Sequence, residues 1–378
     1  MIEAPVFYLL SLAVLASFAL YVSKQEYKVL QYLPPIVILY ISVMFLSSWG
    51  LFEKNEAVLQ AYTSLKSNLL PAMLFLMLLP NKISNLFKLG PKMLLSFFLA
   101  SFSLFMAFIL SFIVFSLSLS DVEILAPLAG SWMGGTGNML AVAAALNASE
   151  SAIGITMLID SVDYSLWVMC LLLLVPFASR FNDFSKAADP VKDVLVQESC
   201  ALYFSYKGYF WLLFSAIFLS LFSQVFAIYL SEHYFGARTT WTVIIASVAG
   251  IAFSFSPLAK IKGIQGTASA MLYLLIALIA SRADIHFDLS LVYYLLMGLF
   301  ILSAHALLMF IFAKLFRLDL FSISVASLAN IGGIASAPIL SAAYSQSLIG
   351  VGILMASLGY LIGTFVALFL AEVLKWLI

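Results

Sequence analysis

Charged residues are scarce in this sequence, and their scarcity limits what kind of protein it can be. Of 378 residues, 10% are charged and 64% are hydrophobic, with a mean hydropathy of +1.11. Soluble domains carry about 25% charged residues, so the composition excludes an ordinary soluble fold. The net charge is +0 and the few basic residues are confined to loops, which argues against nucleic acid as a partner.

Cysteine is also rare, and a basic N-terminal region is missing. The two cysteines, Cys170 and Cys200, do not form a CxxC pair, which argues against a disulfide scaffold and a zinc site. Cys170 lies in an apolar run, where cysteine packs as a small hydrophobic residue. The first positive charge, Lys24, follows the first apolar run. We therefore expect a retained first span with the N-terminus outside, and no cleaved signal peptide.

Long apolar runs make up most of the chain. A run of about 20 residues crosses the hydrocarbon core of a bilayer. Two segments of this kind, 124–146 and 321–343, are interrupted by glycine. We therefore predict an all-α polytopic membrane protein with the lipid bilayer as its surroundings. The uninterrupted runs are 5–23, 31–50, 64–81, 92–118, 151–179, 209–231, 239–257, 264–281, 288–316 and 347–377.

The two glycine-broken segments are the first candidate site. They contain GSWMGGTGN at 130–138 and SLANIGGIASAP at 327–338. Non-helical backbone inside a membrane survives only where protein buries it or where it lines a wet cavity. Interrupted segments at corresponding positions of two halves indicate the substrate site of a secondary transporter. Close helix packing is the alternative explanation of the glycines.

The polar and glycine residues of these breaks form the predicted substrate site. Half-helix N-termini carry partial positive charge and favour anionic groups, so we expect a carboxylate-bearing solute. Ordinary hydrogen bonding between helices is the alternative role of each polar member. The predicted substrate-binding residues are Ser131, Gly134, Gly135, Thr136, Gly137, Asn138, Asn330, Gly332, Gly333 and Ser336.

Two carboxylates, Asp160 and Asp163, lie in the apolar run after the first break. Their spacing puts them on one helical face, and acids within membrane segments mark ion or proton pathways. Because this run contains no Lys or Arg, we predict a Na⁺ or H⁺ site, with Ser161 and Thr156 as further oxygen ligands of Na⁺. The alternative is an acid that is protonated or bonded structurally. His305 is a candidate proton relay, or a neutral histidine bonded to a neighbouring helix.

The second half of the chain is predicted to repeat the first, with chance similarity between apolar segments as the alternative. Gly134-Gly135 coincides with Gly332-Gly333, and Tyr164 with Tyr360 after a two-residue gap. The basic loops share the cytoplasmic side if segment 124–146 enters and leaves the membrane on one side. Each half then has five crossings plus a glycine-broken segment, re-entrant or discontinuous, and the repeats are inverted. Twelve full crossings are the alternative.

The expected domain boundaries follow from this repeat. A cytoplasmic linker joins the two inverted repeats, and both termini of the multi-pass chain are expected outside. The first repeat is 1–178, with its scaffold region at 1–50 and its core region at 64–178; the linker is 179–208; the second repeat is 209–378, with its scaffold region at 209–257 and its core region at 264–378.

The broken segments, together with ALIASRADI at 277–285 and LGYLIGT at 358–364, resemble the bacterial domain-of-unknown-function family 819 over the whole chain. That family is similar to the superfamily of sodium-glutamate symporters, bile acid-sodium symporters and cation-proton antiporters. The resemblance implies the bacterial cytoplasmic (inner) membrane, a dimerising scaffold domain that makes a homodimer, and a core domain that moves like an elevator. The adjacent paired aspartates of sodium-proton antiporters are missing here, which weakens the case for antiport.

These observations together predict a secondary active transporter for a small carboxylate-bearing solute, coupled to Na⁺ or H⁺ by alternating access. A cation/proton antiporter without an organic substrate is the alternative. We expect no enzyme activity, because no nucleophile is paired with a base at a recognisable spacing. No cofactor is expected besides the coupling ion.

Overall fold

The computed structural model describes residues 2–23, 25, 35–53, 55–81, 89–187, 206–233, 238–282, 289–345 and 348–377. These residues are predominantly α-helical, and the β-structure among them is one isolated bridge between Ile2 and Phe52. Six of the described helices are long and apolar enough to cross a membrane. The protein is therefore an all-α, multi-pass membrane protein, as predicted. Most of the predicted linker, 188–205, lies outside the described residues.

The described α-helices are numbered in chain order. Each predicted apolar run overlaps one long helix, each glycine-broken segment overlaps two helices, and α8 lies mostly in the predicted linker. Their bounds are α1 (Pro5–Val22), α2 (Pro35–Ser48), α3 (Glu56–Leu78), α4 (Gly90–Val114), α5 (Val122–Gly134), α6 (Thr136–Ala145), α7 (Glu150–Leu174), α8 (Ala178–Ser185), α9 (Tyr206–His233), α10 (Arg238–Phe253), α11 (Ile264–Ala280), α12 (Leu289–Phe316), α13 (Leu320–Ile331), α14 (Gly333–Tyr344) and α15 (Ile349–Trp376).

Local signals set several helix starts. Pro5 and Pro35 are the first residues of α1 and α2, where the missing N–H of proline costs no hydrogen bond. The Asn55 side chain accepts a bond of 2.9 Å from the N–H of Val58 and caps α3. Asp319 caps α13 in the same way, accepting from the N–H of Ser322 at 2.8 Å. Such caps satisfy N–H groups that have no partner within the helix.

The chain forms two compact units, and the first consists of Met1–Asn81, Ala143–Ser161 and Cys200–His286. In this unit α3 and α11 pack against each other. Helices α1 and α2 pack against α11, whereas α9 and α10 pack against α3. The predicted core regions 64–178 and 264–378 include α3 and α11, which the first unit holds together with α1, α2, α9 and α10. The assignment of scaffold and core regions stays a prediction.

An ion pair joins the start of α7 to α3 within the first unit. Lys66 Nζ lies 2.5 Å from Glu150 Oε1, and the Tyr62 hydroxyl donates to the same carboxylate. The Tyr40 hydroxyl donates to the Glu150 carbonyl oxygen at 3.1 Å. Because Glu150 is the first residue of α7, its negative charge also interacts favourably with the helix dipole.

Helix α9 carries an exposed aromatic stripe, which is the ladder of rings from Phe210 to Tyr229. Phe218, for example, is 58% exposed, and its ring centroid lies 6.3 Å from that of Phe222 one turn later. In a membrane protein such a surface faces lipid or another chain. The rings of the stripe are those of Phe210, Phe214, Phe218, Phe222, Phe226 and Tyr229.

The second unit consists of Lys82–Val142, Val162–Ser199 and Phe287–Ile378. Helix α15 packs against α5, α13 and α14, and therefore against both glycine-broken segments. Helix α4 packs against α12 and α13. At the start of α13, Lys92 Nζ lies 2.5 Å from the carboxylate of Asp319, which is 1% exposed. This unit contains all the predicted substrate-binding residues.

Candidate functional site

Both glycine-broken segments fold back on themselves as helical hairpins. A Cβ atom built on Gly130 would lie 3.0 Å from the carbonyl oxygen of Asn138 and 3.0 Å from a methyl group of Val142. Residues eight apart in a straight helix are separated by about 12 Å, so α6 turns back along α5. The rings of Phe321 and Tyr344 have centroids 5.3 Å apart, whereas a straight helix would separate these residues by about 35 Å. Hence α14 turns back along α13.

Glycine makes both turns possible. Gly135 has φ 89° and Gly333 has φ 59°, which is the left-handed region that residues with a Cβ atom rarely adopt. The Gly135 N–H donates to the Ser131 carbonyl at 2.6 Å and the Gly332 N–H to the Leu328 carbonyl at 2.8 Å. These are the last hydrogen bonds of the first helix in each hairpin. The second helix begins directly after Gly135 in the first hairpin and at Gly333 in the second.

Tyr360 of α15 lies against both turns. A Cβ atom built on Gly135 would lie 3.4 Å from the Tyr360 hydroxyl oxygen, and one built on Gly333 would lie 3.8 Å from it. The two edges of the ring face different turns, with Cε1 at 3.7 Å from the first position and Cε2 at 3.6 Å from the second. Helices α6 and α14 therefore both begin beside this half-buried tyrosine. Sequence reasoning assigned no functional role to Tyr360, which served only to align the repeat with Tyr164.

Two glycines of α15 let it approach the hairpins closely. A Cβ atom on Gly363 would lie 2.7 Å from Gly134 Cα, and one on Gly359 would lie 3.2 Å from the carbonyl oxygens of Met133 and Ala329. Their four-residue spacing is the GxxxG pattern that permits close helix packing in membranes. That pattern was the sequence signal that could have identified α15 as the helix in contact with both hairpins.

Asn138, a predicted substrate-binding residue, joins the first hairpin to α15. Its Oδ1 accepts a hydrogen bond from the Thr364 hydroxyl at 2.9 Å. Its Nδ2 lies 3.4 Å from the carbonyl oxygens of Gly359 and Tyr360. The side chain is 3% exposed. A side chain on Gly134 would overlap the Asn138 amide, which explains why glycine is present there. These contacts fit the predicted alternative of hydrogen bonding between helices.

The second hairpin uses its polar residues differently. Asn330 is fully buried, donates to the Ala326 carbonyl at 2.9 Å and accepts from the Ser101 hydroxyl at 2.8 Å. Ser336 is 2% exposed, and its hydroxyl has no hydrogen-bond partner among the described residues. It lies directly against Gly332, and the Tyr164 ring also lies close to this glycine. Ser336 is thus a buried polar group with unused hydrogen-bonding capacity at a hairpin turn.

The other predicted substrate-binding residues lie around the first turn. Ser131 is one turn before it and is 2% exposed. Thr136 and Gly137 are the first two residues of α6, where backbone N–H groups have no partner within the helix. The structure therefore brings the predicted set together in one unit, around the two turns.

The predicted ion-coupling residues all lie on α7. Asp163 belongs to the second unit and is 0% exposed. Asp160, Ser161 and Thr156 belong to the portion of α7 assigned to the first unit, and the Thr156 hydroxyl donates to the Ala152 carbonyl at 2.9 Å. Within the described portion of the chain, no three His, Cys, Asp or Glu side chains are grouped as metal ligands. The predicted Na⁺ site would thus need hydroxyl and carbonyl oxygens besides the two carboxylates.

His305 forms a continuous chain of hydrogen bonds. Trp167 Nε1 donates to the Ser327 hydroxyl at 2.9 Å, so Ser327 can donate to His305 Nε2 at 2.8 Å. His305 Nδ1 then carries the proton and donates to the Ser103 hydroxyl at 2.6 Å, which donates to the Ala100 carbonyl at 2.8 Å. This arrangement fits a neutral histidine that connects α12 to α4 and α13. The proton-relay role stays a prediction.

Comparison of the amino-acid sequence with known protein families identifies the family of this chain. The family described as Protein of unknown function (DUF819) matches residues 10–377. No curated protein matches the sequence. Because the match covers nearly the whole chain, this protein belongs to the DUF819 family, as its glycine-broken segments predicted.

Proposed function

We propose that the protein is a secondary active transporter for a small carboxylate-bearing solute, coupled to Na⁺ or H⁺. The observation that carries the proposal is the convergence of two glycine turns on Tyr360 within one unit. Broken helices that meet inside a membrane bundle are typical of substrate sites in transporters. The α6 and α14 N-termini at these turns supply partial positive charge and backbone N–H donors.

The hairpin geometry supports segments that enter and leave the membrane on one side. The first arms α5 and α13 contain 13 and 12 residues, which corresponds to about 18–20 Å of helix. The hydrocarbon core is about 30 Å thick, so neither arm would cross it. With re-entrant hairpins, each half of the chain has five crossings, and the two halves are inverted relative to each other.

The packing of the first unit is compatible with such a repeat. Helices α1 and α2 of the first half contact α11 of the second half, while α9 and α10 of the second half contact α3 of the first. This reciprocal pairing is what a pseudo-two-fold relation between the halves would produce. We extend the proposal to an elevator mechanism, a homodimer and the bacterial inner membrane, in line with the superfamily that the sequence resembles.

The coupling ion is assigned in this proposal to the acidic face of α7. Asp163 is fully buried, and a carboxylate buried at membrane depth is stabilised by a proton or a cation beside it. Trp167 follows Asp163 by four residues and therefore lies on the same face of α7, and Tyr164 lies on the adjoining part of the helix surface. The Tyr164 ring contacts Gly332, and Trp167 donates to Ser327. Asp163 thus lies on the face of α7 that is directed toward the second hairpin, where ion binding could be linked to solute binding.

Transport assays in proteoliposomes test this proposal. We expect uptake of radiolabelled carboxylates to require an inward Na⁺ or H⁺ gradient. Asp163→Asn should remove the ion dependence, whereas Asp183→Asn, at an exposed position of α8, should behave as wild type. Unchanged ion dependence in Asp163→Asn would eliminate the proposed role of this acid. Absence of gradient-driven uptake for every carboxylate tested would eliminate the transport proposal itself.

The second candidate is a cation/proton antiporter without an organic substrate, and the buried carboxylate of Asp163 is the observation that favours it. In everted vesicles with a pH-sensitive dye, addition of Na⁺ or K⁺ would then dissipate the proton gradient. Wild-type vesicles that show no such response at any pH tested would argue for the symporter.

A further inference from the structure

We propose that the two hairpin turns and Tyr360 form a binding site for a single carboxylate group, so that the preferred solute is a monocarboxylate. This inference rests on the proposed transport function and specifies the substrate class of the same site. Tyr360 is the specificity-determining residue, because its hydroxyl donates to the bound carboxylate. Ser336 is the second hydroxyl donor.

The Tyr360 hydroxyl stands between the two turns. It lies between the positions that Cβ atoms would take on Gly135 and Gly333, at 3.4 Å and 3.8 Å. Glycine at both turns leaves the backbone open toward this oxygen, since glycine has no side chain of its own to stand in front of it. A small planar group beside the hydroxyl would face the first N–H groups of both α6 and α14.

The Ser336 hydroxyl has hydrogen-bonding capacity that no described residue uses. This residue lies in the first turn of α14, is 2% exposed, and has no partner among the residues that the structure describes. A buried hydroxyl without a partner costs free energy unless a bound group satisfies it. Asn138, its counterpart in the repeat, is already bonded to Thr364. The binding capacity is therefore greater at the second hairpin than at the first.

The charge balance selects one carboxylate. Each helix N-terminus is equivalent to roughly +0.5 elementary charge, so the two together balance about one negative charge. The hairpin and α15 segments at 124–145, 320–345 and 349–371 contain no Lys, Arg, Asp or Glu. The carboxylate of Asp163, which the proposed function directs toward the second hairpin, is balanced by its own coupling ion. A second carboxylate would thus be buried without compensation, which is costly in a membrane interior. A neutral amide would gain little from the helix dipoles.

Ligand binding to the full-length protein in detergent tests this assignment. The melting temperature would be measured against sodium lactate, sodium acetate, disodium succinate and neutral lactamide, at constant Na⁺ concentration and ionic strength. We expect lactate and acetate to stabilise the protein saturably, with succinate and lactamide binding at least about tenfold more weakly, as expected for a site that balances one charge. Binding of succinate as tight as that of lactate would overturn the monocarboxylate assignment.

Variants of the hydroxyl donors test the residue roles. Tyr360→Phe keeps the ring but should weaken lactate binding by about tenfold to a hundredfold, the range for a hydrogen bond to a charged group. Ser336→Ala should also weaken lactate binding. Tyr293→Phe is the matched control, because this tyrosine of α12 donates to the Phe115 carbonyl. The melting temperature without ligand should be the same in Tyr360→Phe and wild type, which shows that the variant is folded.

The failures of the two proposals are distinguishable. Full lactate affinity in Tyr360→Phe, or no stabilisation by any of the four probes, would overturn the inference. Gradient-driven uptake of a dicarboxylate or tricarboxylate would in that case leave the transport proposal standing. Conversely, selective lactate binding without uptake in proteoliposomes would retain the site and reject transport.

Discussion

At the scale of single residues, small side chains decide how closely α15 can approach the hairpins. Gly134 leaves room for the Asn138 amide, and Gly363 lets α15 pass within van der Waals contact of the first turn. The Thr364 hydroxyl then reaches Asn138 Oδ1 at 2.9 Å. Because the interior is tightly packed, these positions tolerate little added volume.

We expect Gly134→Ala to destabilise the protein by about 1–3 kcal/mol, the usual cost of forcing an extra group into a packed site. The new methyl group would overlap the Asn138 amide and lie 2.8 Å from the Gly359 carbonyl oxygen. Denaturation in detergent measures the effect. Gly266→Ala is the matched control, because a Cβ atom there meets nothing within 4 Å. Equal stability of the two variants would contradict the packing of Asn138 and α15 against Gly134.

Thr364→Val preserves shape but removes the hydroxyl that donates to Asn138. Since Thr364 is 2% exposed, the Asn138 oxygen would be left buried without its donor, and we expect a loss of about 1–3 kcal/mol. Thr63→Val removes a hydroxyl on an exposed turn of α3 and should cost less than about 0.5 kcal/mol. The comparison uses the same denaturation measurement, and a neutral Thr364→Val would show that Asn138 finds another donor.

At the scale of secondary-structure elements, the second hairpin is fixed at several points of α13. Asp319 caps the helix and pairs with Lys92 of α4. One turn before the glycine, Ser327 joins the hydrogen-bond chain through His305. Asn330 bonds to Ser101 of α4 near the turn. These bonds hold α13 against α4 and α12, whereas the Ser336 hydroxyl at the turn of the same hairpin has no partner in the part of the chain that the structure describes.

Two substitutions of Asp319 separate its two roles. Asp319→Asn retains a good capping side chain but loses the charge, whereas Asp319→Ala loses both. We expect Asn to lower the stability by about 1–2 kcal/mol, because Lys92 is partly exposed and water replaces some of the ion pair's energy. Ala should cost about 1 kcal/mol more than Asn, which is the typical value of a cap. Identical melting temperatures for the two variants would mean that the cap contributes nothing.

At the scale of the whole molecule, some large apolar side chains are buried in packed protein and others are exposed on its surface. Phe97 in the second unit is 0% exposed, while Phe218 of the aromatic stripe in the first is 58% exposed. We expect the exposed rings to contact lipid, which is as apolar as a leucine side chain. Exposure of large hydrophobic residues is therefore normal here and does not by itself indicate a partner.

Alanine substitutions test this assignment of the stripe. Phe97→Ala should destabilise the protein by about 3–5 kcal/mol, because it opens a cavity in packed protein. Phe218→Ala should change the stability by less than about 1 kcal/mol, because lipid or detergent fills the space. If Phe218→Ala is as costly as Phe97→Ala, or converts a larger species into a smaller one in size-exclusion chromatography, then the stripe packs against another protein chain.

The class of the protein and the position of its breaks could be predicted from the amino-acid sequence. Hydrophobic run length and low charge are local properties, and the bilayer converts them directly into membrane helices. Glycine at Gly135 and Gly333 likewise marks the turns locally, because only glycine readily adopts the backbone conformation found there. Even the family membership followed from these segments.

Long-range packing, in contrast, determines which polar groups are already bonded and which are open to a ligand. Asn138 and Ser336 look equally suited to a solute in the sequence, but Asn138 meets α15, 221 residues away at Gly359, while Ser336 has no partner among the described residues. Such pairings form between distant segments, and no local periodicity encodes them. The same packing places Tyr360 between the two turns, because the glycines of α15 allow it to pack closely against both hairpins.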